Sequence, residues 1–391
     1  CQRGAPSASD TARPAVHFLK RDRFVHNRSM VRNHFRAVSR RAWMAGAASS
    51  ALAAPDTVRL PKKIRVAMLG LDGHPNEILG QLGRLPDVEI AAIALPTEEA
   101  LAGTARNPRL KAAQRYTDYR RMLDQEKLDV VAVCNPNGER AAAVLAVVEH
   151  RLHVIAEKPL AIEREDMERI KKAVARYGVR LSMLLPMRFS PPYLALKRVV
   201  ASGEIGEVAQ IAAQKSYKAG DRAPWFKKRS TYGGTIPWIG SHMVDLMRWA
   251  SGREFTEVFS YQTRIGFPEL GDMENVTASV FHLDNGGAGV LRMDYFRPQT
   301  APTHGDDRLR LAGLKGVVEY QDATGVTVMS EKGKPHVITE LPPAGSVFVD
   351  FLESVYNGKP PALSLEDIYR VCDIVLAARD SAEQHRVIRL V

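Results

Sequence analysis

His153-Val154-Ile155-Ala156-Glu157-Lys158-Pro159-Leu160 is a short apolar run that ends abruptly in an acid, a base and a proline. The pattern predicts a buried strand delivering charge at its tip. In an open α/β sheet ligands bind beyond the carboxyl ends of the strands, so a lysine placed there can point at a substrate. Taken alone, Glu157 and Lys158 read first as a solvated strand end. The flanking sequence changes the weight of that reading.

Upstream and just downstream, apolar runs at 64–69, 88–95, 130–134, 153–156 and 180–185 alternate with helical stretches. Such alternation predicts a doubly wound parallel sheet covered by helices, a Rossmann-like α/β fold. The first run leads into Gly70-Leu71-Asp72-Gly73-His74-Pro75, followed by an expected helix over 76–85. A glycine-bearing turn between first strand and first helix is where a dinucleotide pyrophosphate sits on free backbone N–H groups. The full fingerprint needs three glycines, whereas Asp72 holds the middle position and Pro75 the last. A carboxylate at 72 repels a pyrophosphate unless it faces away. The second strand ends Ala94-Leu95-Pro96-Thr97, with Glu98 and Glu99 one step later, so nothing there selects NAD over NADP. The third run opens into Asn135-Pro136-Asn137-Gly138 before an expected helix over 139–149. Gly70, Asp72, Gly73, His74, Asn135, Pro136, Asn137, Glu157 and Lys158 form the candidate cofactor-binding edge, for NAD or NADP.

Beyond residue 186 the pattern changes. A helix over 191–202 leads to Gly203-Glu204-Ile205-Gly206, and period-two runs follow at 208–215, 257–264, 276–283 and 288–296. The last two are joined by Asp284-Asn285-Gly286-Gly287, a hairpin signal. An α+β domain is predicted, with a mostly antiparallel sheet covered on one face and closing helices at 346–357 and 365–382. Between its first two strands lies Trp225-Phe226 through Trp238-Ile239-Gly240-Ser241-His242-Met243-Val244-Asp245, with His242 and Asp245 three apart at the start of an expected helix. A lone histidine of this kind reads as a cap or core residue as readily as a functional one. Asp294-Tyr295-Phe296-Arg297-Pro298 and His304-Gly305-Asp306-Asp307-Arg308 read as strand ends or solvated loops. Their spacing matches no established metal site, and no metal is expected.

Several of these motifs, in order, resemble the Gfo/Idh/MocA family of oxidoreductases. The matching residues are the apolar strand into Asn135-Pro136-Asn137, the helix, the His153-Val154 strand ending in Glu157-Lys158-Pro159, the Ser202-Gly203-Glu204-Ile205-Gly206 turn and Gly240-x-His242-x-x-Asp245. The resemblance spans about residues 62–391. It implies that Lys158 reaches the substrate hydroxyl near the nicotinamide, that Lys158-Pro159 is cis, and that His242 exchanges the hydroxyl proton. Two departures stand out: Arg140 where relatives usually have His, and Trp238 where relatives carry an acid that supports the His. Without that acid the His242 pKa is expected to be lower than in such relatives. Trp238 is either a stacking platform for a sugar or plain core. Arg188, Trp225, Trp238 and Asp245 are the weaker candidates for substrate contact.

The implied activity is NAD(P)-dependent oxidation or reduction of a secondary alcohol or ketone of a sugar, polyol or related compound. Two alternatives stay open on the same fold: a glycosidase that uses NAD for transient oxidation, and a periplasmic carbohydrate-binding protein without chemistry. A homo-oligomer is implied by the exposed sheet face of such second domains.

With 45% hydrophobic and 25% charged residues, the 391-residue chain has ordinary globular composition. Its net charge of +11 is concentrated in residues 1–60, which hold 11 Lys/Arg against 3 Asp/Glu. The near-neutral remainder offers no electrostatic case for nucleic acid. Cys1, Cys134 and Cys372 lack metal or disulfide spacing. Ser39-Arg40-Arg41 followed by a weakly apolar run, Ala45 to Ala54, with Ala51-Leu52-Ala53 as a small-x-small pattern, resembles a twin-arginine export signal. The run is too short to span a bilayer, so no stable membrane anchor is expected. The expected organisation is a leader over 1–54, with Met30 as an alternative start that leaves 1–29 untranslated, an NAD(P)-binding domain over 62–186 and a substrate and oligomerisation domain over 187–391. Export machinery and a periplasmic or otherwise exported location follow from the leader.

Overall fold

The computed structural model describes residues 57–390; the leader lies outside them. The first sheet comprises β1 (Ile64–Leu69), β2 (Val88–Ala94), β3 (Gln114–Tyr116), β4 (Val130–Val133), β5 (His153–Ala156) and β6 (Leu181–Met183), all parallel, in the order β3-β2-β1-β4-β5-β6. This is the Rossmann order, with its topological switch point between β1 and β4. All four residues of β4 are buried, as expected of a central strand covered on both faces.

The helices of this half are α1 (Asn76–Leu79), α2 (Glu98–Gly103), α3 (Tyr119–Gln125), α4 (Asn137–Glu149) and α5 (Arg164–Tyr177). The helix expected over 76–85 is only four residues of α-helix, followed by a 3-10 turn at Leu82–Arg84. Gly80 and Gly83 within the stretch lower its helix propensity, and the interruption falls between them. Short β3 escaped the sequence pattern because its three residues show no buried position.

The second domain carries α6 (Pro191–Ala201), β7 (Val208–Tyr217), α7 (Arg229–Tyr232), α8 (Thr235–Ser251), β8 (Phe255–Thr263), β9 (Val276–Leu283), β10 (Ala288–Asp294), β11 (Gly305–Gly313), β12 (Gly316–Gln321), β13 (Gly325–Ser330), β14 (His336–Val337), α9 (Val347–Tyr356), α10 (Leu365–Gln384) and β15 (Ile388–Arg389). Its nine strands form one sheet, ordered β14-β13-β12-β11-β7-β10-β9-β8-β15. All pairs are antiparallel except β7 with β10. The segment read as a solvated loop around Asp306 and Asp307 is therefore the first part of β11, paired with the end of β7. Strands β12 to β14 also went unread, because their buried positions are few and scattered: Val318, Val326 and Val328.

Helix α8 carries the motif around His242 and packs against β7 and α10. It begins after Gly233 and Gly234, both at positive φ, and Glu274 accepts from the Thr235 N–H at 3.1 Å. An acid at a helix N-terminus satisfies an orphan donor and complements the dipole. His242 and Asp245 consequently lie mid-helix rather than at its start.

Arg188 and Asp245 do not contact a substrate cavity. Arg188 is 1% exposed and grips Asp245 through both Nε (3.0 Å) and Nη2, while Nη1 donates to the Ala362 carbonyl at 2.8 Å and Asp367 at 3.1 Å. This bidentate pair fixes α8 to the segment after β6 and to α10, which sets the height of His242 in the fold. Removing one partner of a buried ion pair strands the other charge, at a cost of about 3–5 kcal/mol. Arg188→Met is expected to lower unfolding stability by that amount in denaturant titration, with Arg188→Met/Asp245→Leu recovering most of it; a single variant within about 1 kcal/mol of the parent contradicts the assignment.

Candidate active site

The carboxyl ends of β1, β4 and β5 converge at the switch point. Gly70, at φ +81°, lets the turn after β1 run against β4: a Cβ there would strike the Cys134 carbonyl, and the Asp72 N–H donates to that same carbonyl at 2.8 Å. Gly73, at φ +73°, makes room for the Glu157 carboxylate.

Glu157, fully buried, is the acid of the opening motif. Its Oε1 accepts from the His74 backbone N–H and from His74 Nδ1 (2.7 Å), and Oε2 accepts from the Lys158 N–H at 3.0 Å. Burial pushes this carboxyl up, but the His74 ring, Lys158 and Arg140 outweigh it and hold it at about 2. A strand end that reads as solvated in the sequence is a closed electrostatic knot.

Arg140 explains how the tip keeps its shape. From the first turn of α4 its fully buried guanidinium donates to Asn137 Oδ1 (2.8 Å), to the carbonyls of Lys158 (3.0 Å) and Pro159 (2.9 Å), and to the Asn135 carbonyl. Lys158-Pro159 is cis, as the resemblance implied. Asn137 is also tied to the second domain, donating to the Tyr232 carbonyl at 2.8 Å.

Lys158 is 1% exposed; its Nζ donates to the Trp238 carbonyl at 2.8 Å and lies 3.2 Å from the centroid of the Trp238 ring. Burial drives its pKa well below the usual lysine range, opposed by Glu157 and reinforced by Arg140, Lys215 and Arg222. One helical turn beyond Trp238, His242 is 5% exposed, and its Nδ1 has no hydrogen-bond partner among the described residues. Its ring meets that of His74 edge to face at 5.1 Å. Burial, then Lys158, His74 and Lys215, push its pKa well below that of a free imidazole.

These groups open on a cavity of about 330 Å³. Gly73, His74, Lys158, Trp238, Ile239 and His242 form one part of its wall; Tyr217, Arg222, Phe226, Tyr295 and His304 form the other. The second set was not read from the sequence as site residues. Tyr217 ends β7, Tyr295 directly follows the parallel β10 and His304 precedes antiparallel β11, so pairing register brings all three to one edge of the sheet. Trp225 is a correction: it is absent from the cavity wall, and its indole N–H donates to Asp72 Oδ1 at 3.0 Å. That bond occupies the carboxylate whose presence in the glycine turn conflicted with a pyrophosphate. Burial raises the Asp72 pKa against the pull of the Trp225 hydrogen bond. Asp306 and Asp307 are held by Arg308 at 2.8 Å and Lys215 at 2.7 Å.

A family model described as the NAD-binding Rossmann fold of an oxidoreductase family matches residues 64–185, and a GFO/IDH/MocA C-terminal domain model matches residues 193–319. The chain belongs to the GFO/IDH/MocA oxidoreductase family. A solved structure from Thermotoga maritima described as an oxidoreductase is 31% identical, with a TM-score of 0.79, covering 83% of this chain and all (100%) of that one. Among curated relatives, the myo-inositol 2-dehydrogenase of Thermotoga maritima is 24% identical over 84% of this chain and 98% of its own length. The NAD(+)-dependent scyllo-inositol 2-dehydrogenase of Bacillus subtilis is also 24% identical, over 82% and 94%.

The first domain of this GFO/IDH/MocA protein fits a dinucleotide. The N–H groups of Leu71 and Gly73 have no partner among the described residues, and the buried Asn135 Oδ1 is unpartnered. Both lie at the switch point where the family's NAD-binding fold receives its cofactor. The four-residue α1 adds little dipole, so backbone N–H groups rather than a long helix would hold the phosphates.

Burial and the neighbouring Lys158, His74 and Lys215 lower the His242 pKa, and with Trp238 one turn before it no carboxylate there opposes them. Trp238→Asp is expected to raise the His242 pKa by about 1 unit or more, because a neighbouring carboxylate favours the imidazolium. NMR titration of the imidazole resonances checks this, and an unchanged or lower value refutes it.

Proposed function

We propose that this protein oxidises a secondary alcohol of a sugar, polyol or related compound, or reduces the corresponding ketone, with NAD or NADP. The observation that carries the reading is the meeting of Lys158 and His242, one from each domain, in a single cavity at the carboxyl edge of the nucleotide-binding sheet. NAD(P), when bound, supplies the hydride acceptor in the oxidative direction. His242, which lines the cavity and whose pKa burial lowers, accepts the hydroxyl proton. Lys158 donates to the same oxygen, and Trp238 holds its Nζ from below through carbonyl and ring. The inositol dehydrogenase activities of the curated relatives support a polyhydroxylated substrate.

His242→Gln and Lys158→Met are each expected to lower kcat by about 10²–10⁴-fold, followed by nicotinamide absorbance, with coenzyme affinity measured separately. Variants as active as the parent would remove these residues from the chemistry. Release of sugar with no lasting absorbance change would instead favour the glycosidase on this fold.

We further propose export by the twin-arginine route and assembly as a homo-oligomer. Arg40-Arg41 with the apolar run after it supports the first. The open face of the nine-stranded sheet, where Val280 is 51% and Val290 45% exposed, supports the second. Fractionation of the native host is expected to find cleaved protein outside the cytosol, and retention in the cytosol once Arg40 and Arg41 are both changed to Lys. Sedimentation of the mature protein is expected to give a multiple of the monomer mass; uncleaved cytosolic protein or a monomer refutes the respective proposal.

A further inference from the structure

The cavity that holds Lys158 and His242 has an unbalanced wall. Every ionisable side chain in it other than the two tyrosines is basic: His74, Lys158, Arg222, His242 and His304. Carboxylates behind these groups are held by other neighbours, Glu157 by His74, Asp307 by Lys215 through one oxygen and Asp72 by Trp225. Nothing acidic faces the space a ligand would fill.

Arg222 is the member whose state calls for an explanation. Elsewhere in the fold Arg188, Arg229, Arg248 and Arg379 each lie within ion-pair distance of a carboxylate. Arg222 has none among the described residues. Its Nε donates to the Ala219 carbonyl at 2.6 Å and its Nη2 to the Lys218 carbonyl at 2.9 Å. The guanidinium is further held between the rings of Tyr295, at 4.9 Å, and Phe226, at 5.5 Å. The group is thus fixed in orientation by neutral partners, and the Nη1 donors stay unspent. A guanidinium offers five N–H donors in a rigid fork suited to planar oxyanions. Preorganisation of this kind lowers the entropic cost of binding one. Beside it, His304 stacks on Tyr217 at 5.1 Å, and its ring nitrogens have no partner among the described residues. Lys218 adds positive potential, its Nζ donating to the carbonyls of Gln299 and Ala301 at 2.9 and 2.6 Å and meeting no carboxylate among the described residues.

We propose that the substrate is a sugar acid, whose carboxylate is received by Arg222 and His304 while its reacting hydroxyl faces Lys158 and His242. The proposal rests on the oxidoreductase reading of the same cavity and narrows it to a charged substrate class. A volume of about 330 Å³ suits a monosaccharide acid rather than an oligosaccharide, standing at the small end of small-molecule sites. One guanidinium with one imidazole supplies the donors of a carboxylate, whereas a phosphate dianion calls for more.

Calorimetry on the intact mature protein, with and without NAD, tests this using a panel of hexuronates (glucuronate, galacturonate and mannuronate), the matching neutral aldoses, and glucose 6-phosphate. At least one hexuronate is expected to bind about ten- to hundredfold tighter than its neutral counterpart, the worth of one or two charge-assisted hydrogen bonds. Arg222→Gln should collapse that preference to about one, and Arg222→Lys, which keeps charge but loses the fork, should retain part of it. Melting curves of both variants establish that they are folded. Equal affinity for acids and neutral sugars, a preference that survives Arg222→Gln, or tightest binding of glucose 6-phosphate would each overturn the proposal. Nicotinamide absorbance separates the two readings. Turnover of neutral sugars with no preference for acids leaves the oxidoreductase and removes the sugar acid. Arg222-dependent binding of a hexuronate without any redox turnover does the reverse.

Discussion

The Arg140 guanidinium is the interaction on which the site depends. It reaches from the first turn of α4 to the carbonyls after β4 and to those of Lys158 and Pro159 after β5. These carbonyls lie beyond the last hydrogen bonds of the sheet and are buried from water. Left unpaired, each would carry a desolvation penalty of about 1–3 kcal/mol. One planar cation satisfies several at once and fixes the direction in which Lys158 leaves the strand.

The second departure, Trp238, redistributes support within the site. An acid one turn before His242 would favour the imidazolium; an indole cannot. What the indole provides goes to Lys158, whose Nζ rests on the ring and on the Trp238 carbonyl. The carboxylate in the neighbourhood is instead Glu157, and it reaches His242 only through the His74 ring that it holds. His74, placed by the irregular glycine turn, thereby links Glu157 to His242. The irregularity in the fingerprint and the missing acid are neighbouring changes in space, although 164 residues separate His74 from Trp238 in the chain.

Charge in the cavity follows the same logic at larger scale. The second domain brings Arg222 and His304 to the same cavity as the strand tips, and no carboxylate side chain lines that cavity. Arg188 with Asp245 and Lys215 with Asp307 show the contrasting arrangement, a buried cation paired with a carboxylate.

Much of this architecture was legible in the chain. Apolar runs of strand length alternating with helices, and a glycine turn after the first of them, are local patterns that depend on nearest neighbours, so the parallel sheet could be read in order, whereas the cis bond at Lys158-Pro159 came from the family resemblance. Trp225, Arg188 and Asp245 misled because an aromatic or ion-pairing residue near a motif looks the same whether it meets a ligand or another side chain. Only packing sent Arg188 to Asp245 and the Trp225 indole to Asp72. The short strands after β11 went unread because few of their residues are buried, leaving only Val318, Val326 and Val328 facing the core. By itself the sequence determined the Rossmann order of elements and the candidates Lys158 and His242. The tertiary structure alone decided that they share a cavity, that Tyr217, Arg222, Tyr295 and His304 complete it, and that its wall is basic, because these follow from strand register and domain contact across long separations that no local pattern encodes.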